Sequence, residues 1–197
     1  MAMKKNIQYI GVAGTAGSGK DTVAMLMGEL FGSISLSTGD MVRAIARQVY
    51  HLPAHVRPTH DQSYQVASFM RKNISPSSIV ELCLLEGKTQ NVSIVIIHGL
   101  RTMGEADVIR KARGIVVGVD ADIEERYERL RKDRDMLKTF EEFLQQEELE
   151  NEGVSKKRED RGIRYIIESA DVKIDNNGSI ENLEAQIREK VAPLLKK

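Results

Sequence analysis

The stretch Gly14-Thr15-Ala16-Gly17-Ser18-Gly19-Lys20 decides the fold, because it stands between an apolar run and a helical pattern. Residues 7–13 are mostly apolar and lead directly into Gly14, which is typical of a short buried strand before a glycine loop. From Lys20 onward the apolar side chains return at helical spacing. Glycines let backbone N–H groups turn inward around phosphate oxygens, and a helix N-terminus adds partial positive charge. The stretch therefore predicts a phosphate-binding loop, in which Lys20 contacts the β- and γ-phosphates of a nucleoside triphosphate.

The residue after the lysine departs from the usual pattern of such loops. A Ser or Thr normally binds Mg²⁺ there, whereas this chain has Asp21, followed by Thr22. Two interpretations of Asp21 stay open: its carboxylate joins the magnesium shell, or it caps the helix, where negative charge is favoured. Thr22 is the better candidate for the missing hydroxyl. We therefore expect ATP and Mg²⁺ as cofactors, with Asp21 and Thr22 near the metal.

Short apolar runs alternate with helical patterns along the rest of the chain. The predicted strands are residues 7–13, 34–37, 91–97, 114–119 and 171–174. The first predicted helix begins at Lys20. The second is expected to be capped by Thr38 or Asp40. The other predicted helices are residues 62–72, 77–86, 106–111, 122–135, 140–152, 163–168 and 180–195. The β-branched run 91–97 suits a central parallel strand. This order predicts an α/β fold, a three-layer α/β/α sandwich with a mainly parallel five-stranded sheet, as in P-loop NTPases.

Composition limits the partners. The chain has 197 residues, of which 29 are basic and 29 are acidic, so no net field attracts nucleic acid or a membrane. We expect neither partner. Cys83 is the only cysteine, which excludes an internal disulfide, and the first residues lack the apolar segment of a signal peptide, so a cytoplasmic location is expected. The sequence does not indicate an oligomeric state.

A second motif follows the second predicted strand. Ser37-Thr38-Gly39-Asp40-Met41-Val42-Arg43 resembles the Ser-Thr-Gly-Asp-Met-x-Arg segment of adenylate kinases and related nucleoside monophosphate kinases. The resemblance implies that Thr38 and Arg43 hold the phosphate of an acceptor nucleotide. It also places Asp40 near the metal and the reacting phosphates. Phosphoryl transfer depends mainly on positioning and charge neutralisation, which agrees with cations aimed at both substrates.

A third motif, His98-Gly99-Leu100-Arg101, is predicted directly after the strand 91–97. It is similar to the Asp-Gly-Phe-Pro-Arg segment of adenylate kinases and to the Asp-Gly-x-Arg segment of kinase-like relatives, so Arg101 matches the arginine that grips the acceptor phosphate. His98 replaces the aspartate that helps to organise magnesium there. Because imidazole is not a hard oxygen ligand, either Asp40 and Asp21 carry the metal or catalysis is weak. For His98 itself, a structural role at the strand end and a general-base role both stay open.

Arginines cluster on the predicted helix 122–135. In the same kinases this region supplies arginines from a lid that covers the triphosphate and excludes water. The candidates are Arg126, Arg129, Arg131 and Arg134. Arg129 matches best; the alternative for each is a solvated pair with a neighbouring glutamate. The turn Asn176-Asn177-Gly178, which is similar to that of dephospho-coenzyme A kinases, is expected to line the adenine, with Asn177 as the candidate residue.

These motifs predict one kinase domain over residues 1–197, with an acceptor-binding helical region at about 44–90 and a short lid at about 131–162. The expected activity is ATP-dependent phosphotransfer to a nucleoside monophosphate or similar small molecule. The catalytic candidates are Lys20, Asp40, Arg101 and Arg129. Two alternatives are a dephospho-coenzyme A kinase-like enzyme and a nucleotide-binding regulatory module with weak catalysis. A GTPase switch is disfavoured, because the guanine-reading Asn-Lys-x-Asp segment is absent.

Overall fold

The computed structural model describes residues 7–133, 139–152 and 162–195. Within them, five parallel strands form one sheet in the order β2-β3-β1-β4-β5. The strands are β1 Gln8–Gly14, β2 Ile34–Ser37, β3 Ile94–Leu100, β4 Ile115–Asp120 and β5 Val172–Asp175. The predicted α/β fold with a parallel five-stranded sheet is confirmed.

Helices follow the strands in sequence and cover both faces of the sheet. They are α1 Lys20–Phe31, α2 Thr38–Val49, α3 His60–Asn73, α4 Ser78–Thr89, α5 Met103–Lys111, α6 Ile123–Asp133, α7 Phe140–Glu152, α8 Ile163–Glu168 and α9 Ile180–Gln186. Buried side chains of α1 and α9 pack with Ile10 and Val12 of β1 on one face. Side chains of α4, α5 and α8 pack with Tyr9 and Ala13 on the other. The alternation along β1 thus gives each layer its own core.

A third core lies beside β2 and β3, where α2, α3 and α4 pack together. Its buried members are Val42, Ala46, Val66, Met70 and Ile79. This helical cluster covers most of the region predicted to bind the acceptor. The start of α2 lies at the carboxyl end of β3, because Thr38 Oγ1 donates to the carbonyl of Gly99 at 2.7 Å.

Three local predictions are wrong. Strand β3 does not end at residue 97, because His98 still pairs with Val12 on one side and Ser37 on the other. Helix α2 is capped by neither Thr38 nor Asp40 but by Ser37, whose hydroxyl accepts the Asp40 N–H at 3.1 Å.

The final helix is also not one regular segment. It changes after α9 into a π-helical turn, Ile187–Val191, and a 3-10 turn, Ala192–Leu194. Pro193, which lacks an N–H, lies in that last turn. In the described part of the chain, the helices are too short or too polar to cross a bilayer.

Candidate functional site

The loop between β1 and α1 has the backbone of a phosphate cradle. Gly17 and Gly19 adopt φ values of 76° and 81°, a left-handed conformation that favours glycine. The Ser18 side chain is fully buried, and its hydroxyl has no hydrogen-bond partner within the described residues. A Cβ on Gly14 would overlap that hydroxyl. The loop is therefore tightly turned and starts α1 directly behind it, with the partial positive charge of the helix end facing the loop.

Asn176 and Arg129 brace this loop from the side of β5. Asn176 Nδ2 donates to the Ser18 carbonyl at 2.8 Å, and its backbone N–H donates to the Asp120 carbonyl at 2.8 Å. Arg129 Nη2 donates to the Asn176 carbonyl at 2.7 Å, and its Nη1 lies 3.5 Å from the Gly17 carbonyl. Arg129, which was predicted to lie at the triphosphate site, thus contacts the backbone of the loop.

Asn176 is a site residue that the sequence reasoning missed. Its neighbour Asn177 was the predicted candidate, but the Asn177 side chain accepts from the Asp122 N–H at 2.8 Å and donates to Asp175 at 2.7 Å. Asn177 therefore joins two turns. Asn176 could have been identified from the alternation of buried and exposed side chains along β5. It continues the buried series of Val172 and Ile174.

Arg126, one of the candidate lid arginines, is buried against the loop. It is only 5% exposed, and its guanidinium donates to Thr15 Oγ1 at 2.9 Å and to the Ala121 carbonyl at 3.0 Å. It also forms an ion pair of 2.6 Å with Glu147 of α7. Arg126 thus ties α7 to the first residue after Gly14. A cavity of about 930 Å³ lies next to this contact, between Thr15, Asp120 and the helices α7 and α8.

Arg131 has a different partner from the loop backbone. Arg131 forms a half-exposed pair with Glu128 at 2.9 Å, as the alternative interpretation expected. Arg134 lies outside the described residues, as do parts of the predicted lid.

Asp21 and His98 meet at the opposite side of the loop. The Nδ1–H of His98 donates to Asp21 Oδ1 at 2.8 Å, since a carboxylate can only accept. This hydrogen bond, with help from the nearby charges of Lys20, His98 and Arg101, holds the pKa of Asp21 below its usual value despite partial burial. Asp21 does not cap α1, whose cap residue is Gly19 without a side-chain bond. Its carboxylate instead links the loop to the central strand β3.

The acceptor motif lies at the end of β3. Thr38 is buried and uses its hydroxyl hydrogen on Gly99. Asp40 and Arg43 form an ion pair with each other, with Nη2 to Oδ1 at 2.5 Å and Nε to Oδ1 at 3.2 Å. The predicted metal carboxylate and the predicted acceptor cation therefore neutralise one another.

Arg101 begins the turn after β3, and its charge reaches Asp21. Its backbone N–H donates to Glu105 Oε2 at 2.6 Å. Glu105 is completely buried and also pairs with Arg71 of α3 at 3.0 Å. The sequence reasoning did not select Arg71 or Glu105, because an arginine late in a helix and a glutamate three residues after a threonine are usual in helix ends.

The residues present fit a nucleoside triphosphate with Mg²⁺. The glycine loop and Lys20 suit phosphate oxygens, and Asp21, Thr22 and Asp40 offer the hard oxygen ligands that Mg²⁺ prefers. No group of three or more His, Cys, Asp or Glu side chains suited to hold a metal occurs in the residues that the structure describes. Mg²⁺ commonly takes only one or two carboxylates, with substrate phosphates and water as its other ligands.

Comparison with known proteins assigns the family. The sequence model of the AAA domain family matches residues 10–152. The chain belongs to this AAA domain family. A search among curated proteins found no match.

Solved structures share the fold of this AAA domain protein. TT1252 from Thermus thermophilus is 21% identical, with a TM-score of 0.61 over 96% of this chain and 99% of that one. Shikimate kinase from Bacteroides thetaiotaomicron is 14% identical, with a TM-score of 0.54 over 95% of this chain and 98% of that one. An uncharacterized protein from Eubacterium ventriosum is 11% identical, with a TM-score of 0.54 over 94% and 98%. The expected P-loop kinase fold is thereby confirmed.

Proposed function

We propose that the protein is an ATP- and Mg²⁺-dependent kinase that transfers the terminal phosphoryl group to a nucleoside monophosphate or similar nucleotide-like acceptor. The observation that carries this proposal is the position of Asp21. Lys20 Nζ lies 3.9 Å from Asp21 Oδ2, and the charge of Arg101 also acts on this carboxylate. The loop lysine and the proposed acceptor arginine thus both act on the same carboxylate beside the loop, and a transferred phosphoryl group needs positive charge on both sides.

On the donor side, the loop amides and Lys20 bind the triphosphate. Arg129, held against Gly17, neutralises charge on the transferring group, and the turn at Asn177 lies beside the adenine. Bound Mg²⁺ supplies further neutralisation of the phosphate oxygens. Thr22, Asp21 and Asp40 are the residues that hold it.

On the acceptor side, Thr38, Arg43 and Arg101 bind the phosphate of the acceptor. In this proposal Arg43 exchanges the carboxylate of Asp40 for that phosphate, because a bidentate arginine binds phosphate and carboxylate in the same way. The exchange leaves Asp40 available for the metal. The structural similarity to a shikimate kinase supports phosphotransfer to a small molecule but does not specify the acceptor.

A coupled assay with ATP, Mg²⁺ and a panel of nucleoside monophosphates and dephospho-coenzyme A tests the proposal. We expect turnover of at least one acceptor and a loss of about 100-fold or more in Lys20→Ala, because that cation acts on the transferring charge. Lys88→Ala, which removes an exposed lysine of α4, serves as the matched control and should retain activity. Turnover of dephospho-coenzyme A alone would select the dephospho-coenzyme A kinase alternative. Absence of ATP-dependent turnover across the panel would contradict phosphotransfer to this class.

A second candidate function is nucleotide binding with weak catalysis, as in a regulatory module. The observation in its favour is the bond between His98 and Asp21, which occupies one carboxylate oxygen beside the loop. This alternative predicts ATP binding without acceptor turnover, and no gain of turnover in His98→Asp. The kinase proposal predicts turnover in the unmodified protein.

A further inference from the structure

Glu105 is a buried carboxylate whose two oxygens have different partners. Its side chain is completely buried. Oε1 accepts from Arg71 Nε at 3.0 Å and lies 3.0 Å from Arg71 Nη2, while Oε2 accepts the backbone N–H of Arg101 at 2.6 Å. One carboxylate therefore fixes the start of the turn that carries Arg101 and the guanidinium of an arginine 34 residues away.

This arrangement fixes Arg71 without using all of its donors. A buried carboxylate is costly unless it is paired, so the Arg71 guanidinium is held in place. Arginine has five N–H donors, and Glu105 engages only Nε and Nη2. Among the described residues, Nη1 has no partner. Fixed geometry with remaining donors is what bidentate recognition of an anion requires.

Arg71 lies on the proposed acceptor side of the site. Helix α3 packs with α2 and α4 in the cluster that contains Val42, Met70 and Ile79. The start of α2 is tied to Gly99 in β3, and Glu105 ties α3 to Arg101. One carboxylate thus holds Arg71 and the backbone of Arg101 next to the carboxyl end of β3, and Arg43 lies on the helix α2, which starts there.

We propose that Arg71 is an acceptor-binding residue, which donates hydrogen bonds to an anionic group, phosphate or carboxylate, of the acceptor. Glu105 is its positioning residue. Because Glu105 also accepts the backbone N–H of Arg101, it fixes Arg71 relative to the start of the turn that carries Arg101. This inference rests on the proposed function, because it names a further contact of the same acceptor. It accounts for a buried charge pair in a region where an apolar pair would pack without a desolvation cost.

Anion binding at Arg71 is measurable by NMR without turnover. With saturating ADP and Mg²⁺ to fill the loop, the protein is titrated with orthophosphate or, in a second arm, with acetate, while the ¹⁵Nε–Hε resonance of Arg71 is followed. We expect a saturable shift in at least one arm, and the tighter arm identifies the anion. An unshifted Arg71 resonance in both arms would overturn the inference.

Two variants separate binding from folding. Arg71→Met combined with Glu105→Gln keeps the buried site neutral, and the Gln oxygen still accepts the Arg101 N–H. We expect this double variant to bind the anion about tenfold or more weakly, because a hydrogen-bonded charge pair is lost. Glu105→Gln alone keeps the charge of Arg71 but removes the carboxylate oxygen that positions its guanidinium, so its anion affinity should lie between those of the unmodified protein and the double variant. Equal affinity of the double variant and the unmodified protein would contradict the proposal.

Lys72→Met is the matched control, since it removes an exposed charge from the neighbouring position of the same helix. It should leave the anion affinity unchanged. The acceptor panel separates the two proposals: turnover with an acceptor KM that is the same in the double variant contradicts only the role of Arg71. Anion binding at Arg71 without turnover of any acceptor contradicts only the kinase assignment.

Discussion

The proposed donor and acceptor sides of the site are held together in different ways. On the donor side, Asn176 and Arg129 bind backbone carbonyls of the loop, and Arg126 ties Thr15 to α7. On the acceptor side, charged side chains hold each other: Asp40 with Arg43, Asp21 with His98, and Glu105 with Arg71. These hydrogen bonds thus hold the loop in one conformation around the proposed phosphate position. On the proposed acceptor side, the cations are paired with carboxylates. The partner of Arg43 is the exposed carboxylate of Asp40, which a substrate anion can replace.

This difference predicts where mutations act. Changes on the donor side should reduce stability and nucleotide affinity together, because the contacts that brace the loop are buried. Changes on the exposed acceptor side should alter acceptor affinity and pH dependence with little loss of stability.

The largest expected effect is that of Arg126→Met, which removes the ion pair with Glu147 and the hydrogen bond to Thr15. It leaves Glu147 with a buried charge and no partner from Arg126, and Glu147 Oε2 already has no hydrogen-bond partner among the described residues. We expect a loss of about 3–5 kcal/mol in the free energy of unfolding. Urea denaturation followed by circular dichroism measures it.

Arg131→Met is the control for this change, because Arg131 pairs with Glu128 at the surface of the same helix. Loss of a surface pair should cost about 0–1 kcal/mol. If both variants lost the same stability, the Arg126 contact would not be a structural tie.

A smaller effect on the same side is expected for Gly19→Ala. Its φ of 81° strains any other residue, and an added Cβ would overlap Asn176 Nδ2. We expect about 1–3 kcal/mol of strain, together with weaker ATP binding by isothermal titration calorimetry.

Gly28→Ala provides the comparison within α1. The nearest atom to its added Cβ, the Ser33 carbonyl oxygen, is 3.6 Å away. Since alanine favours a helix over glycine by up to about 1 kcal/mol, this variant should keep or gain stability. Unchanged ATP affinity in Gly19→Ala would show that the loop conformation does not matter for binding.

The smallest effect is expected on the acceptor side, for Asp21→Asn. The pKa of Asp21 is lowered in the folded protein, first by the hydrogen bond from His98. The ionised carboxylate therefore contributes stability above its usual pKa of 3.8, and this contribution is lost as the pH falls through the lower folded value. Because the side chain is 70% exposed, solvent screening limits it to less than about 1 kcal/mol.

Unfolding free energies between pH 2 and 7 check this prediction. The difference between the unmodified protein and Asp21→Asn should be present at neutral pH and disappear in acid. Glu141→Gln, at an exposed position of α7, should show no such trend. A difference that grows as the pH falls would mean that the sign of the pKa shift is wrong.

The donor side was largely predictable from the sequence, since its loop residues are contiguous and its strand and helix have strong periodicities. Even there, Asn176 was missed, because only the strand alternation distinguishes its side chain from that of the adjacent Asn177, whose contact with the adenine stays a prediction. The end of β3 was misplaced for another reason. His98 is polar, so the apolar run ends before it, whereas ladder pairing on both sides continues the strand.

The acceptor side was less predictable, because its pairs join distant residues. His98 and Asp21 are 77 positions apart, and Arg71 and Glu105 are 34 apart. No local pattern reports such a contact, and each residue alone has a usual interpretation in a helix or a turn. The motif around Thr38 predicted Arg43 as a residue that binds the acceptor phosphate, but it did not predict the ion pair with Asp40.

In the proposed function, the loop binds the phosphates of the donor and Arg101 binds the phosphate of the acceptor. Calorimetric affinities of adenosine 5′-pentaphosphate and ATP test it most directly, because the added phosphates reach the acceptor cations whatever nucleoside the natural acceptor carries. We expect the pentaphosphate to bind at least about tenfold tighter than ATP, and Arg101→Ala to remove this gain without weakening ATP, since linked groups bind as one ligand. Equal affinities for the two nucleotides, or a gain that survives in Arg101→Ala, would contradict the account.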